Sequence, residues 1–265
     1  MSLFAGKHCA VVGATGAIGL PIAAAFARHG AALSLLGRSA VESRRRLESH
    51  LPPPPPRAPH RFLRLDVSDP VDVKRVFAGP SPDSTDESTD PSSHSSKATC
   101  PAPVGPIDFL VNCAGISHTS LLKRTSEAHL ANVVNTNLLA AMFVCKHANV
   151  RPHGCIINVS SLMAIKGGLG TTAYAASKAG LVAFTRAFCR EMAARSIRVN
   201  ALLPGWVESP MWHHLKPELQ QAFLEDTPLR RVASPQEVAD AAIFLASNGF
   251  ANNCVLNLDG GLSAS

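Results

Sequence analysis

The sequence predicts an α/β fold, a doubly wound parallel sheet with helices on both faces, and three observations carry that prediction. Short apolar runs recur along the chain, among them Cys9–Val12, Ala32–Leu36, Ile107–Val111 and Cys155–Val159. They lack the in/out alternation of a half-exposed strand, as expected of strands buried on both faces. Amphipathic helical stretches alternate with these runs through most of the chain, the arrangement of a parallel sheet with crossover helices. A glycine cluster, Gly13-Ala14-Thr15-Gly16-Ala17-Ile18-Gly19, joins the first run to the first helical stretch, Ile22 to Arg28, which Gly30 ends.

In chain order, Cys9–Val12 reads as the first strand and the glycine cluster as a tight strand-to-helix turn. Backbone N–H groups of Gly13, Thr15, Gly16, Ala17, Ile18 and Gly19 could then approach a pyrophosphate at the helix N-terminus. The second run ends in Gly37-Arg38-Ser39, where NAD-selective sites usually carry a carboxylate. Gly37 offers none, and Arg38 is a cation placed to meet a 2′-phosphate, which favours NADP(H). The alternative is that Arg38 only solvates the next helix, where Ser39-Ala40-Val41-Glu42 has the form of a capping box. Asp66 and Val67 end a further strand beside the adenine, with Asp66 as a possible acceptor for the exocyclic amine. Asn112, Ala114 and Gly115 end the next strand beside the ribose and diphosphate.

Tyr174 and Lys178 stand one helical turn apart, so phenol and ammonium project from one helix face. A fixed cation there is expected to favour the phenolate and bring the tyrosine pKa toward the working range. Ser161, at the end of the run Cys155–Ser160, could offer its hydroxyl to the same substrate oxygen. The three residues together describe a proton-transfer site for a carbonyl/alcohol pair.

Two stretches interrupt the alternation. Residues 51–60 hold five consecutive prolines and read as a stiff extended connector. Residues 79–106, rich in Ser, Pro, Asp and Thr, read as a disordered surface insertion open to phosphorylation. The whole of 1–265 is otherwise expected to be one domain, and its 46% hydrophobic residues can supply a sizeable core.

No run of about 18 apolar residues suggests a membrane span, and the first strand begins by about residue 8, which leaves no room for a cleavable leader. Seven cysteines without a Cys-x-x-Cys spacing suggest a reducing, intracellular setting. His213-His214 is surrounded by no metal-ligand pattern, so no metal site is expected. The net charge of +6 reads either as ordinary solubility or as attraction of anionic ligands; no nucleic-acid motif accompanies it.

With these pieces in hand, the chain resembles the short-chain dehydrogenase/reductases over about residues 6 to 262, which implies a single-domain Rossmann fold. Gly13…Gly19 resembles the cofactor loop, Asn112-Cys113-Ala114-Gly115 the Asn-Asn-Ala-Gly segment, Ser161…Tyr174…Lys178 the catalytic set, and Asp259-Gly260-Gly261 the terminal Asp-Gly-Gly. The resemblance implies that Asn137 holds a water in a proton relay, and that Pro204, Gly205, Val207 and Ser209 contact the nicotinamide carboxamide. It also implies that Lys178 binds the nicotinamide ribose. Departures are Val12 for a threonine, Ala17 for the middle glycine, Cys113 for the second asparagine, Ser209 for a threonine and Asn253 for a glycine. Of these, Ala17 is expected to weaken cofactor binding and Asn253 to disturb a local turn.

Within the family, Leu121–Thr125 and Ala173–Phe184 are most similar to 3-oxoacyl-acyl-carrier-protein reductases. That implies NADPH-dependent reduction of a 3-oxoacyl thioester, linked to carrier protein or coenzyme A, as in fatty acid synthesis. Arg190 and Arg195 resemble the basic surface that docks an acyl carrier protein. A lid over Ser209–Leu229 would line the substrate with Met211, Trp212, Leu215, Leu219 and Phe223. Such a lining also suits a sterol, polyol or secondary-metabolite ketone, and a non-catalytic NADPH-binding subunit of a reductase complex is a further alternative. Small residues Ala175, Ala176, Ala179, Gly180 and Ala183 on the helix Thr172–Ala194 either pair across a homodimer or homotetramer or pack on the sheet. The compartment is read as cytoplasmic, with the mitochondrial matrix as the alternative.

Overall fold

The computed structural model describes residues 2–56, 58–79 and 102–264. The insertion expected at 79–106 falls largely on residues 80–101 and lies outside the described residues. Seven strands form one parallel sheet: β1 (His8–Val12), β2 (Ala32–Gly37), β3 (Arg61–Arg64), β4 (Ile107–Asn112), β5 (Val150–Val159), β6 (Arg198–Pro204) and β7 (Val255–Leu258). Their spatial order is β3-β2-β1-β4-β5-β6-β7. The chain reverses its direction of winding between β1 and β4, and the crevice beyond the carboxyl ends of those two strands is where such sheets bind ligands.

The helices are α1 (Gly19–Arg28), α2 (Arg44–Glu48), α3 (Pro70–Ala78), α4 (Glu127–Val134), α5 (Ala140–His147), α6 (Thr172–Glu191), α7 (Pro210–His213), α8 (Pro217–Asp226) and α9 (Pro235–Ser247). Because side chains alternate along each strand, the sheet feeds two cores. Cys9, Val11, Leu33, Leu35, Val111 and Ile157 pack with Ile22 and Phe26 of α1 and with Val238 and Leu245 of α9. Ala10, Val12, Leu36, Leu110 and Ile156 pack on the other face with Val73 and Phe77 of α3 and Val144 of α5.

Local chemistry fixes the helix starts where the sequence supplies it. Asp69 accepts from the Val71 amide at the start of α3, and Ser234 with Glu237 forms a capping box before Pro235 of α9. The capping box expected at Ser39–Glu42 is not formed: α2 begins at Arg44, and Ser43 precedes it without a side-chain cap. Ala40 is fully buried, so the chain turns inward there before the helix begins. Asn253 takes φ +57°, a left-handed turn that asparagine tolerates better than most residues.

Among the described residues, the composite helix Glu127–His147 is the one helix long and apolar enough to cross a membrane by length and composition, a test that the core helix of a globular domain also passes. Its mean hydropathy reaches 1.3 over an 18-residue window. Its buried part packs on α3 and α6. The ladder widens to a π turn at Asn135–Leu139 in its middle.

Candidate active site

The glycine loop is built by contacts that leave no room for side chains. A Cβ on Gly13 would lie 2.6 Å from the Ala114 amide nitrogen, and one on Gly19 only 2.2 Å from the Gly13 carbonyl oxygen. The loop therefore seats directly on the end of β4 and presents bare backbone. That cradle fits a pyrophosphate and so the dinucleotide that the sequence predicts. Ala17 is exposed on the loop, so its methyl group intrudes on no protein neighbour. Thr15 and Ile18 are half-buried beside it.

Around the adenosine end, Arg38 and Ser39 are exposed just beyond β2. Asp66 follows β3, and its carboxylate accepts from the Ser68 hydroxyl (2.6 Å) and amide (3.0 Å). These bonds, helped by Arg38 and Arg64, hold the carboxyl below its usual pKa. Val67 is half-buried and packs toward α5's face of the sheet. Asn112 is buried at the end of β4, where its side chain joins two strands. Its amide donates to Asn158 Oδ1 (2.9 Å) and to Cys145 Sγ (3.3 Å), which braces β4 against β5. Asn158 in turn donates to Thr185 Oγ1 on α6 at 2.9 Å.

Four catalytic candidates converge at the carboxyl ends of β4 and β5. Ser161 follows β5, Tyr174 and Lys178 come from α6, and Asn137 from the π turn. Ser161 Oγ accepts from the Met163 amide at 3.2 Å, and its hydroxyl lies close enough to the Tyr174 phenol to act on its ionisation. Lys178 is buried, its Nζ donating to the Val159 carbonyl at 3.0 Å and lying 5.8 Å from the centre of the Tyr174 ring. Gly115 closes the other side: a Cβ there would come within 3.1 Å of Asn137 Oδ1 and 3.4 Å of Lys178 Nζ.

The electrostatics differ from the sequence expectation. Burial pushes the Tyr174 phenol above its ordinary pKa, and the Ser161 hydroxyl offsets only part of that. Burial also brings the Lys178 ammonium down to about 8. The lysine sits against a strand carbonyl rather than beside the phenolic oxygen, so desolvation wins over its attraction for a phenolate. Tyr174 consequently holds its proton in this state, as a proton donor must.

Both ends of the Asn137 side-chain amide bond within the protein. Its Oδ1 accepts from the Ile116 amide (2.8 Å), and its Nδ2 donates to the Ile116 carbonyl (3.0 Å) and to Ser177 Oγ (3.1 Å). The side chain thus pins the segment after β4 to α6.

The loop after β6 is held by the C-terminus. Pro204 ends β6, and the Gly205 amide donates to the Leu258 carbonyl at 2.9 Å, with no space for a Cβ against Asp259. Val207 bridges Ala233, and the Ser209 hydroxyl caps α7 by accepting from the Trp212 amide. Of the expected lid lining, Trp212 and Phe223 meet around Trp206, at ring-centre distances of 5.8 and 4.3 Å. Leu215 is half-buried, while Met211 and Leu219 are exposed.

Sequence reasoning missed Trp206 as the hub of this cluster, although it lies inside the recognised loop. It also missed Lys166, whose Nζ donates to Asp226 of α8 (3.0 Å) and to the Leu262 carbonyl (2.9 Å). That side chain ties the loop after Ser161 to the lid and the C-terminus; no local pattern at Lys166 signals it. Arg195, one of the two cations expected on the surface after Lys178, donates to the Val150 carbonyl at 2.6 Å, and Arg190 is exposed on α6.

Comparison with known proteins places this geometry. Residues 85–263 match the family model described as enoyl-(acyl carrier protein) reductase. The chain is 35% identical over 259 residues to a mouse 3-oxoacyl-[acyl-carrier-protein] reductase, covering 97% of this chain and 98% of that protein. It is 35% identical over 269 residues to the 3-oxoacyl-[acyl-carrier-protein] reductase FabG of Chlamydia muridarum, covering 99% of each. Among solved structures, a double mutant of a Serratia marcescens short-chain dehydrogenase/reductase superposes with a TM-score of 0.82 at 24% identity, covering 98% of this chain and 99% of that one. At that identity the match speaks for the fold alone.

Proposed function

The chain belongs to the short-chain dehydrogenase/reductase family, oxidoreductases of the CH–OH/C=O pair that bind a nicotinamide cofactor, and from that premise we propose that it reduces a 3-oxoacyl thioester to the 3-hydroxyacyl thioester with NADPH. The observation that carries the reading is the convergence of Ser161, Tyr174 and the buried Lys178 at the mouth of the nucleotide crevice, with Lys178 Nζ 5.8 Å from the centre of the Tyr174 ring and 3.0 Å from the Val159 carbonyl. The names of the mouse and chlamydial relatives support the choice of substrate.

When bound, the reduced nicotinamide supplies the hydride to the carbonyl carbon. The ketone oxygen takes hydrogen bonds from Ser161 and Tyr174, and Tyr174 passes its phenolic proton to that oxygen as negative charge develops. Lys178, free to leave the Val159 carbonyl for the nicotinamide ribose, brings its positive charge toward the phenolate that remains. Asn137 positions the segment at Ile116 against α6 beside the tyrosine and lysine, and one lone pair of its Oδ1 is left for a relay water. Asn112, Ala114 and Gly115 form the wall behind the ribose. Pro204, Gly205, Val207 and Ser209 form the wall at the carboxamide, and Asp66 and Val67 border the adenine. Gly13, Thr15, Gly16, Ala17, Ile18 and Gly19 carry the pyrophosphate, and Arg38 with Ser39 faces the 2′-phosphate.

The Trp206–Trp212–Phe223 cluster gives the lid an apolar wall suited to an acyl chain. Arg190 and Arg195 are the cations for an acidic carrier protein. Ala176, Ala179 and Ala183 are exposed on α6, beside the helix Glu127–His147, on which Met142 is also exposed. A second copy of the chain would cover both, giving a homodimer or homotetramer. Six free cysteines among the described residues suit a reducing compartment, either cytoplasm or mitochondrial matrix.

The test is oxidation of NADPH, against NADH, with acetoacetyl-coenzyme A and crotonyl-coenzyme A in parallel. Turnover of the oxo substrate with NADPH is expected, and Tyr174→Phe should abolish it while leaving cofactor binding intact. Reduction of the crotonyl substrate alone, or full turnover in Tyr174→Phe, would overturn the proposal.

A further inference from the structure

Between Gly13 and Gly19 the nucleotide loop carries no charged side chain, so any cation that meets a 2′-phosphate must come from elsewhere. Three arginines stand together in α2, Arg44, Arg45 and Arg46, and Leu47, fully buried, fixes the helix against the core. Arg44 turns to Glu48 (2.8 Å) and lies 5.2 Å over the Phe62 ring on β3. Arg46 turns the other way and reaches back 31 residues, its Nη2 donating to the Thr15 carbonyl at 3.2 Å.

Thr15 marks the corner where the loop meets the end of β2. Its Oγ1 is 3.6 Å from the position a Cβ on Gly37 would take. The Arg46 guanidinium therefore lies against the same corner as Gly37 and Arg38, where the adenosine ribose of a dinucleotide seated on the loop must fall.

Arg38 is the cation that the sequence offers for this corner, but its field also acts on Asp66, whose carboxyl it helps to hold ionised together with Arg64. No described hydrogen bond joins Arg46 to a carboxylate; its side chain is anchored by a neutral carbonyl. A guanidinium has five N–H donors in a planar fork, so one can hold the loop while others take phosphate oxygens. The anchor also fixes the side chain in advance, which reduces the ordering cost of binding.

We infer that Arg46 is a specificity-determining residue of the nucleotide site, closing over the 2′-phosphate of NADP(H) opposite Arg38 and discriminating against NAD(H). This rests on the NADPH reading above. A merely structural Arg46, holding Thr15 in place, would matter equally to both nucleotides.

The experiment is direct titration of the full chain with NADPH, NADH, 2′,5′-ADP and 5′-AMP, for wild type, Arg46→Ala, Arg46→Lys and Arg38→Ala. Arg46→Ala should weaken NADPH and 2′,5′-ADP about tenfold, the size of one charge-assisted contact, with less than about twofold effect on NADH and 5′-AMP. Arg46→Lys should recover part of the loss, since it keeps the charge and loses the fork. Equal weakening of phosphorylated and unphosphorylated ligands in Arg46→Ala, with wild-type NADPH preference intact, would overturn the inference for Arg46 alone. A wild type that binds NADH as tightly as NADPH would overturn the NADPH reading and this inference with it.

Discussion

Replacing Lys178 by methionine should make the cofactor-free protein more stable near neutral pH while removing its activity. The ammonium is buried, and its pKa falls from 10.5 to about 8 because burial disfavours the charge. At about 1.4 kcal/mol per pH unit, the separation corresponds to a penalty of about 3 kcal/mol carried by the folded state when the lysine is charged. Methionine fills similar volume without that penalty but leaves the Val159 carbonyl without its donor, a loss of about 1 kcal/mol. The net expectation is a gain of about 2 kcal/mol at pH 7. The sign reverses with pH. Between about 8 and 10.5 the unfolded chain still binds this proton and the folded chain has released it, so wild-type stability rises relative to the variant across that window. Other titrating groups are common to both proteins and cancel in the difference. Urea unfolding of Lys178→Met and wild type at pH 7 and pH 10, at one protein concentration and without cofactor, measures it. A stability difference that stays constant between the two pH values would refute the argument that desolvation governs this lysine.

Two further substitutions probe the site's framework. Asn137→Ala removes two hydrogen bonds to Ile116 and one to Ser177; Ser177 keeps its bond to the Tyr174 carbonyl. Urea unfolding should show a loss of about 2 to 3 kcal/mol, and a loss under about 0.5 kcal/mol would mean that water replaces the amide without cost. Gly19→Ala places a methyl 2.2 Å from the Gly13 carbonyl oxygen, so the loop must move and dinucleotide affinity should fall at least about thirtyfold, the equivalent of about 2 kcal/mol. Gly249→Ala, where nothing lies within 4 Å, is the matched control, and equal affinity in the two variants would show that the loop adapts.

The parts of this molecule legible in its sequence are those encoded by neighbours along the chain. The buried strands showed as apolar runs, and Tyr174 with Lys178 showed as a pair on one helix face because helical periodicity sets that spacing. The glycine turn between β1 and α1 was readable for the same reason. The false capping box at Ser39–Glu42 shows the limit of such patterns. The residue types matched, but Ala40 is drawn into the core and the helix starts later. Tertiary structure alone decided that Asn112 braces Asn158, that Asn137 holds Ile116, that Trp206 joins Trp212 to Phe223, and that Arg46 lies on Thr15. It also decided the protonation of the site. Periodicity put Lys178 on the same helix face as Tyr174, yet the phenol is pushed up rather than down. Desolvation depends on every element packed around a group, and sheet topology, rather than sequence spacing, determines which elements those are.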